Sequence, residues 1–427
     1  MNIVIIGSGI AGLSAAYNLK QNGFDSQIIE SKKSYGGLLD SIYYNGFRFD
    51  RAIHLSFADQ PEVRAIFDQT PYIIHKPESK NFDREHWLRH PVQNNLEPLP
   101  VEEKIELIKG FIERPEVEVN NYKDWLIYQY GKPFAEKYPL KYTLKYWTVD
   151  ASELGLDWIG SRMYRASVDE VLRGAMTANT ENVYYAKEMR YPKKGGYKAF
   201  LTPLIADASI RYESEVTSIN LDTKQLTLNG NQIIHFSSLI NTMPLPLLIE
   251  RIQNVPDNVK TAAEKLWATS LDLISVGFNK ADIPKDLWFY IYDEDILASR
   301  VYSPSIKSPE NCPEGKSSVQ FEIYSSCKRP MTYSNDELKE NCIYALKKMG
   351  IANEEDIEFL KHDKIDYGNV VFYNGMEQDR EIITEWLTDQ GIYLAGRFGE
   401  WDYFWSHQAM ESGFIAADKL IKLEEFN

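Results

Sequence analysis

Cysteine is scarce in this chain: Cys312, Cys327 and Cys342 are the only 3 among 427 residues, and they stand 15 apart without the paired spacing of metal ligands. A disulfide framework is excluded, reduced thiols of a cytoplasmic protein are expected, and no metal site is expected. Basic charge is in deficit, with 47 Lys and Arg against 62 Asp and Glu and a net charge of −15. Nucleic acid and anionic membrane both demand a basic face, so neither is expected as a partner, whereas a small anion needs only a local arginine. No apolar run approaches the ~20 residues of a bilayer-spanning helix, so no integral membrane segment is expected. With a strand-like run from residue 2, no signal peptide is expected. Repeats and low-complexity tracts are absent. What is present is ordinary for a globular enzyme, 44% hydrophobic and 26% charged residues, in a chain long enough for two or three domains.

The informative segment lies at the start. Asn2-Ile-Val-Ile-Ile leads into Gly7, Gly9 and Gly12, then a helix-like run to Leu19 and a second strand ending at Glu30. The first glycine allows a tight turn, the second lets backbone N–H groups approach a pyrophosphate, and the third brings helix against strand. The helix N-terminus, with Ile10 and Ala11, faces the phosphates with its partial positive charge. Glu30 comes 18 residues after Gly12, where a carboxylate accepts ribose hydroxyls, with Ser31 beside it. A second turn follows at Gly36-Gly37-Leu38. Such a doublet suits FAD, which is longer than a nicotinamide dinucleotide and runs past that turn. Gly391-Ile-Tyr-Leu-Ala-Gly396-Arg397 reads as a buried strand ending in a turn, followed by a helix containing Gln408, Met410 and Gly413. Gly396, Arg397 and Gln408 are expected to close the FAD site from the far end of the chain.

Between these ends the pattern changes twice. Val101, Ile105, Ile108 and Ile112 recur at helical spacing behind Pro100, and helical, aromatic-rich sequence continues through Trp125, Tyr142 and Trp147 to about Asn182. Alternation then appears around Val216, which is expected to touch the cofactor, and Asn229-Gly230 gives a hairpin signal. Residues 268–385 are rich in Tyr and Phe and read as sheet. The fold class expected is α/β, a discontinuous Rossmann-like FAD-binding domain of residues 1–75, 186–265 and 386–427. A helical insertion over 96–185 and a mixed β-sheet substrate domain of 76–95 and 266–385 complete it.

Several segments carry a more specific resemblance. Gly46-Phe-Arg-Phe-Asp50-Arg51-Ala52-Ile-His54 resembles the D-x-G-x-H segment lying against the flavin in amine-oxidase and sugar-mutase flavoproteins, with Arg51 and Ala52 replacing two small residues. Gln93-Asn94-Asn95 precedes a helix. Tyr142-Thr143-Leu-Lys145-Tyr-Trp147 is followed by Arg162, and Gly396-Arg397-Phe-Gly-Glu-Trp401-Asp-Tyr403 runs on to His407-Gln408. Together these resemble the UDP-galactopyranose mutase family across nearly the whole chain, in order.

That resemblance implies an isomerase without net redox change. Reduced FAD attacks the anomeric carbon of a nucleotide-linked sugar, a flavin–sugar adduct opens, and the sugar recloses with the other ring size, for surface polysaccharide synthesis. The reductant is open, NAD(P)H being one choice, as is the oligomeric state. Covalent attack splits one hard step into two, and the departing diphosphate needs a fixed guanidinium. By position, Arg162 takes the substrate pyrophosphate, Trp147 and Thr143 flank the substrate, and Gln93 is a substrate-side amide. Tyr373 and Tyr403 are phosphate-binding tyrosines, Tyr403 beside the flavin, and Arg162, His54 and Tyr403 carry the catalytic roles, His54 by flavin contact through its backbone carbonyl. Three departures stand out. His407 replaces an Asp or Asn near the flavin, and His90 before Pro91 replaces a substrate tyrosine. The second arginine of the central sheet has no clear match, Asn279 falling near its place and Arg300 and Arg329 being candidates, neither of them assigned. The competing reading is a redox flavoenzyme of the amine oxidase or protoporphyrinogen oxidase type, which shares the FAD elements but not Q-N-N or Y-T-x-K-x-W.

Overall fold

The computed structural model describes residues 2–425 except 117, 161, 162 and 185. Ile3–Ile6 is buried along its whole length. A strand with no polar face is stable only inside a sheet covered on both sides. It is accordingly central, in the order Ile392–Leu394, Ser238–Asn241, Ile3–Ile6, Ser26–Ile29, Ser209–Arg211, all parallel. The helix Ile10–Gln21 follows the first strand and the terminal helix Ser406–Glu425 crosses it. Ser14 Oγ donates to the Met410 carbonyl at 2.9 Å. A Cβ on Gly413 would overlap Ser14 Oγ and the Ala11 carbonyl, so glycine sets the approach of the two helices.

A second sheet has seven strands, ordered Ile357–Ile365, Ser270–Phe278, Ser317–Ser325, Arg300–Tyr302, Trp288–Ile291, Lys80–Asp83, His86–Arg89. All its pairings are antiparallel except Trp288–Ile291 with Lys80–Asp83. Neither sheet is built from one stretch of chain: the parallel one draws on residues 3 to 394, the mixed one on residues 80 to 365. The helix Asn335–Lys348 packs Leu338, Cys342, Ala345 and Leu346 on one face of the mixed sheet, against Ile274, Val276 and Phe321. Leu271, Leu273 and Tyr324 share a core with Tyr146 and Trp147 of the helical segment.

The segment expected as sheet over 266–385 therefore also holds two helices of 14 residues, Asn335–Lys348 and Met376–Asp389. The hairpin at Asn229-Gly230 forms, joining Gln225–Leu228 to Gln232–His235 with both turn residues at positive φ, 51° and 78°. The helix Val101–Ile112 also forms, but its aliphatic stripe points outward. Val101, Ile105 and Ile112 are 54–59% exposed, while Leu107 and Phe111 are buried. Among the described residues no helix is long and apolar enough to cross a membrane.

Candidate active site

Backbone geometry builds the first half of the site. Gly7, at φ 97°, turns the chain out of the first strand and donates its N–H to the Ile29 carbonyl at 2.8 Å. A Cβ on Gly12 would overlap the Gly7 carbonyl, so helix and strand meet there without a side chain. Gly9 differs: a Cβ there would meet nothing within 4 Å, because it fronts a cavity of about 750 Å³. The Gly36-Gly37 turn closes on the same place. Gly36 donates its N–H to the Ser8 carbonyl at 2.9 Å, and both glycines have positive φ, 113° and 58°.

Glu30 is buried at the cavity edge. Its carboxylate accepts the Ser8 N–H at 2.8 Å, the Ser8 hydroxyl at 2.7 Å and the Lys32 N–H at 2.8 Å. Ile10, Ala11, Ser31, Leu38, His54, Val216, Gly396 and Arg397 line the same cavity. In a chain of net charge −15, its wall carries Lys32, Arg51, Arg251, Arg300 and Arg397 against only Glu30, Glu215 and Asp366. The Arg397 guanidinium lies 4.6 Å from the centre of the Tyr403 ring, and Nη2 donates to Asn369 Oδ1 at 3.1 Å. Arg397 Nε and Asn369 Nδ2 are buried donors without an acceptor. A glycine cradle open at Gly9, a carboxylate at the end of the second strand and unsatisfied donors on the opposite wall fit an anionic dinucleotide.

The loop after Phe47–Asp50 is held from behind. Asp50 and Lys307 form an ion pair at 3.0 Å with exposures of 1% and 0%. Tyr191 donates to the same carboxylate at 2.9 Å, as does the Tyr197 N–H at 3.2 Å. Burial pulls the Lys307 ammonium below its ordinary pKa, with Asp50 opposing. His54 Nε2 bridges the carbonyls of Leu38 and Arg51 at 3.0 and 3.2 Å. Two acceptors require that nitrogen to carry the proton, and burial lowers the ring's pKa to about 4. The His54 ring is thus a neutral clasp between two loops that line the cavity, which leaves the role expected of its backbone carbonyl untouched.

A second cavity of about 700 Å³ adjoins the first. Tyr146, Tyr184, Tyr290, Arg300, Tyr403 and Trp405 line both. Its remaining wall is aromatic, with Tyr122, Tyr130, Tyr138, Tyr142, Trp147 and Trp158, and includes His90, Gln93, Thr143 and Arg165. Gln93 Nε2 donates to the Tyr164 carbonyl at 3.4 Å, and Thr143 Oγ1 to the Pro139 carbonyl at 2.7 Å. Tyr146 and Tyr403 share a hydroxyl hydrogen bond of 2.9 Å, and the Trp147 ring stands 5.3 Å from that of Tyr403. His90, half-buried on the cavity wall and lowered to about 4 by desolvation, is neutral at pH 7 and contacts Asn81 Oδ1 at 3.2 Å.

Other expected site residues lie elsewhere. Arg162 is outside the described residues. Tyr373 lines neither cavity, its hydroxyl donating to Asp379 at 2.8 Å in the first turn of the next helix. His407 lines neither; its ring stacks on Trp405 and meets Phe57 edge-on. Gln408 also lines neither, because its side-chain carbonyl accepts the Trp405 N–H at 2.9 Å where the terminal helix begins. Asn279 faces away, its amide donating to the Glu355 carbonyl at 2.8 Å, and Arg329 donates to the Leu144 carbonyl at 2.9 Å. Arg300 is the guanidinium at the seam. Sequence reasoning also passed over Arg165, whose guanidinium sits 5.7 Å from the Trp125 ring centre.

Cradle, cationic wall and adjoining aromatic chamber define the class as a flavin-dependent enzyme. The profile of the flavin containing amine oxidoreductases matches residues 10–421, and the chain belongs to that family. Its fold is that of reduced UDP-galactopyranose mutase, with a TM-score of 0.93 at 23% identity over 99% of this chain and 96% of that one. A putative protoporphyrinogen oxidase from Exiguobacterium sp. 255-15 shares it less closely, at TM-score 0.75 and 15% identity over 99% of each chain. Protoporphyrinogen oxidase 2 of Arabidopsis thaliana is 28% identical over 110 residues, 26% of this chain and 21% of that protein. The 1-hydroxycarotenoid 3,4-desaturase of Flavobacterium sp. (strain P99-3) is 49% identical over 47 residues, 11% and 10% of the two chains. The chain thus covers about a tenth to a fifth of the length of these curated relatives.

Proposed function

We propose that this chain is an FAD-dependent mutase interconverting pyranose and furanose forms of a nucleotide-linked sugar, a cytoplasmic step toward surface polysaccharide. The observation carrying this reading is the aromatic chamber that opens onto the cofactor cavity across Arg300. Aromatic rings suit the C–H faces of a sugar and of a base, and they keep water from an activated anomeric carbon. The reduced flavin, when bound, supplies a nucleophilic ring nitrogen. Arg300 at the seam, and Arg162 by resemblance, meet the charge that develops on the departing diphosphate. Gln93, Thr143, Trp147, His90 and Tyr403 hold the sugar and nucleotide. No carboxylate lines the chamber among the described residues, so a protonated amine would find no counter-charge on its wall, which disfavours amine oxidation.

A redox reaction of the protoporphyrinogen oxidase or desaturase type is the second reading, supported by the family and the short stretches of likeness to such enzymes. The two differ in what is consumed. Dithionite-reduced holoenzyme kept free of oxygen and given UDP-galactopyranose and other nucleotide-linked hexopyranoses, assayed by anion-exchange chromatography, should yield a furanose isomer over many turnovers with no oxidised product. Hydrogen peroxide formed in step with oxidation of a porphyrinogen, without any ring isomer, sinks the mutase reading.

A further inference from the structure

Arg300 does not face the seam alone. Glu322 stands directly opposite it across two antiparallel strands and is wholly buried, at 0% exposure. Its Oε2 accepts Arg300 Nε at 2.7 Å and the Tyr324 hydroxyl at 3.1 Å. Oε1 accepts the N–H of Ile53, in the loop that lines the cofactor cavity, at 2.8 Å. Every partner donates, which suits a carboxylate. Arg300 gives Nε and Nη2 to this cluster, the latter also reaching the Tyr324 hydroxyl at 3.4 Å. Its Nη1 has no hydrogen bond to a described residue. Arg300 lines both cavities and Glu322 lines neither. The guanidinium is therefore displayed to the chambers while its counter-charge sits behind the wall.

An unpaired guanidinium in so largely buried a place would grip a diphosphate strongly, since charge interactions are less screened there than at the surface. A turnover that must release and recapture the diphosphate is poorly served by such a trap. We propose that Glu322 is a positioning residue that aims Arg300 Nη1 at the seam and cancels most of its charge, keeping bound diphosphate exchangeable. The same carboxylate fastens Ile53, so it couples the electrostatics of the cofactor loop to those of the substrate side. The diphosphate part of this proposal rests on the nucleotide-sugar reading above.

Holoenzyme titrated with inorganic diphosphate and with UDP, and poised electrochemically for the flavin midpoint potential, gives the test. Glu322→Gln should bind both ligands at least tenfold more tightly and raise the midpoint potential, because removing a negative charge favours the reduced, anionic flavin. A purely structural Glu322 predicts weaker or unchanged binding, and that result overturns the proposal. Should Glu322→Gln fail to fold, the neutral pair Arg300→Gln/Glu322→Gln decides. It should bind diphosphate better than Arg300→Gln alone, in which the stranded carboxylate repels anions, and equal affinities overturn the proposal. Wild-type enzyme that binds neither ligand defeats the nucleotide-sugar reading instead. The potential is independent of that reading, and a Glu322→Gln potential equal to wild type defeats the charge role.

Discussion

At the scale of the residue, Gly9 and Gly12 share one turn and do unlike work. Gly9 has an ordinary backbone, φ −70° and ψ 177°, with open space where a Cβ would stand. Gly12 has no such space, since the Gly7 carbonyl already occupies it. Gly9→Ala should therefore fold normally yet weaken FAD binding at least tenfold, about 1.4 kcal/mol, read by flavin fluorescence on reconstitution. Gly12→Ala should lower unfolding stability by about 1–3 kcal/mol, the range for overpacking, read in urea. An equal loss of stability in both variants would remove the distinction. These glycines were legible in sequence because turn geometry is local. Arg300 was named only as one of two substitutes, because what makes it functional is Glu322 across the strand pair and Ile53, which lies 269 positions from Glu322. No spacing rule reaches that far.

At the scale of the element, existence and orientation part company. The periodicity of Val101, Ile105, Ile108 and Ile112 gives a helix in the right place, yet its inner face is Leu107 and Phe111. The neighbouring helix Lys132–Lys137 decides this, because Pro133 packs where Gly110 leaves room, a Cβ there falling 2.6 Å from Pro133 Cδ. Phe111→Ala should accordingly cost about 3–5 kcal/mol, and Ile105→Lys less than about 0.5 kcal/mol, in equilibrium denaturation. A larger cost for Ile105→Lys would place the packed face wrongly. The helix Asn335–Lys348 falls within the mixed region 268–385, whose Tyr and Phe residues point to sheet. A local signal was nonetheless present: Ser334 and Glu337 make a reciprocal capping box, with the Ser334 N–H and hydroxyl each 2.7 Å from the Glu337 carboxylate.

At the scale of the whole molecule, burial of titratable groups couples stability to pH. His54 and His90 drop from 6.5 to about 4 on folding, desolvation being the main cause in each. Between those values the unfolded chain carries two protons that the folded chain lacks, so stability falls as pH falls, by up to ~1.4 kcal/mol per unit for each histidine. Glu400, raised from 4.5 to about 7 chiefly by burial, works in the opposite sense over its own interval. Glu377 and Glu411 are raised as well, so the histidine contribution is read by difference, as a decline in melting temperature from pH 6.5 to 4.5 relative to a variant that lacks the ring. His90→Phe should make that decline shallower, and scanning calorimetry of both proteins checks it. Equal pH profiles for wild type and His90→Phe would mean that the His90 ring is not held neutral by burial.

The sequence by itself determined the α/β class, the dinucleotide cradle from Gly7 to Glu30, the second turn at Gly36-Gly37 and the return of the chain's end to the same site. Each is a short-range matter of backbone dihedrals, hydrophobic period and turn chemistry, written within a few consecutive residues. Tertiary structure alone decided that Arg300 occupies the seam. It likewise removed Tyr373, His407 and Gln408 from the cavity walls and left His54 a clasp. Those outcomes depend on which distant donors and acceptors meet once the chain is packed, and a buried polar group takes the partner that packing brings it.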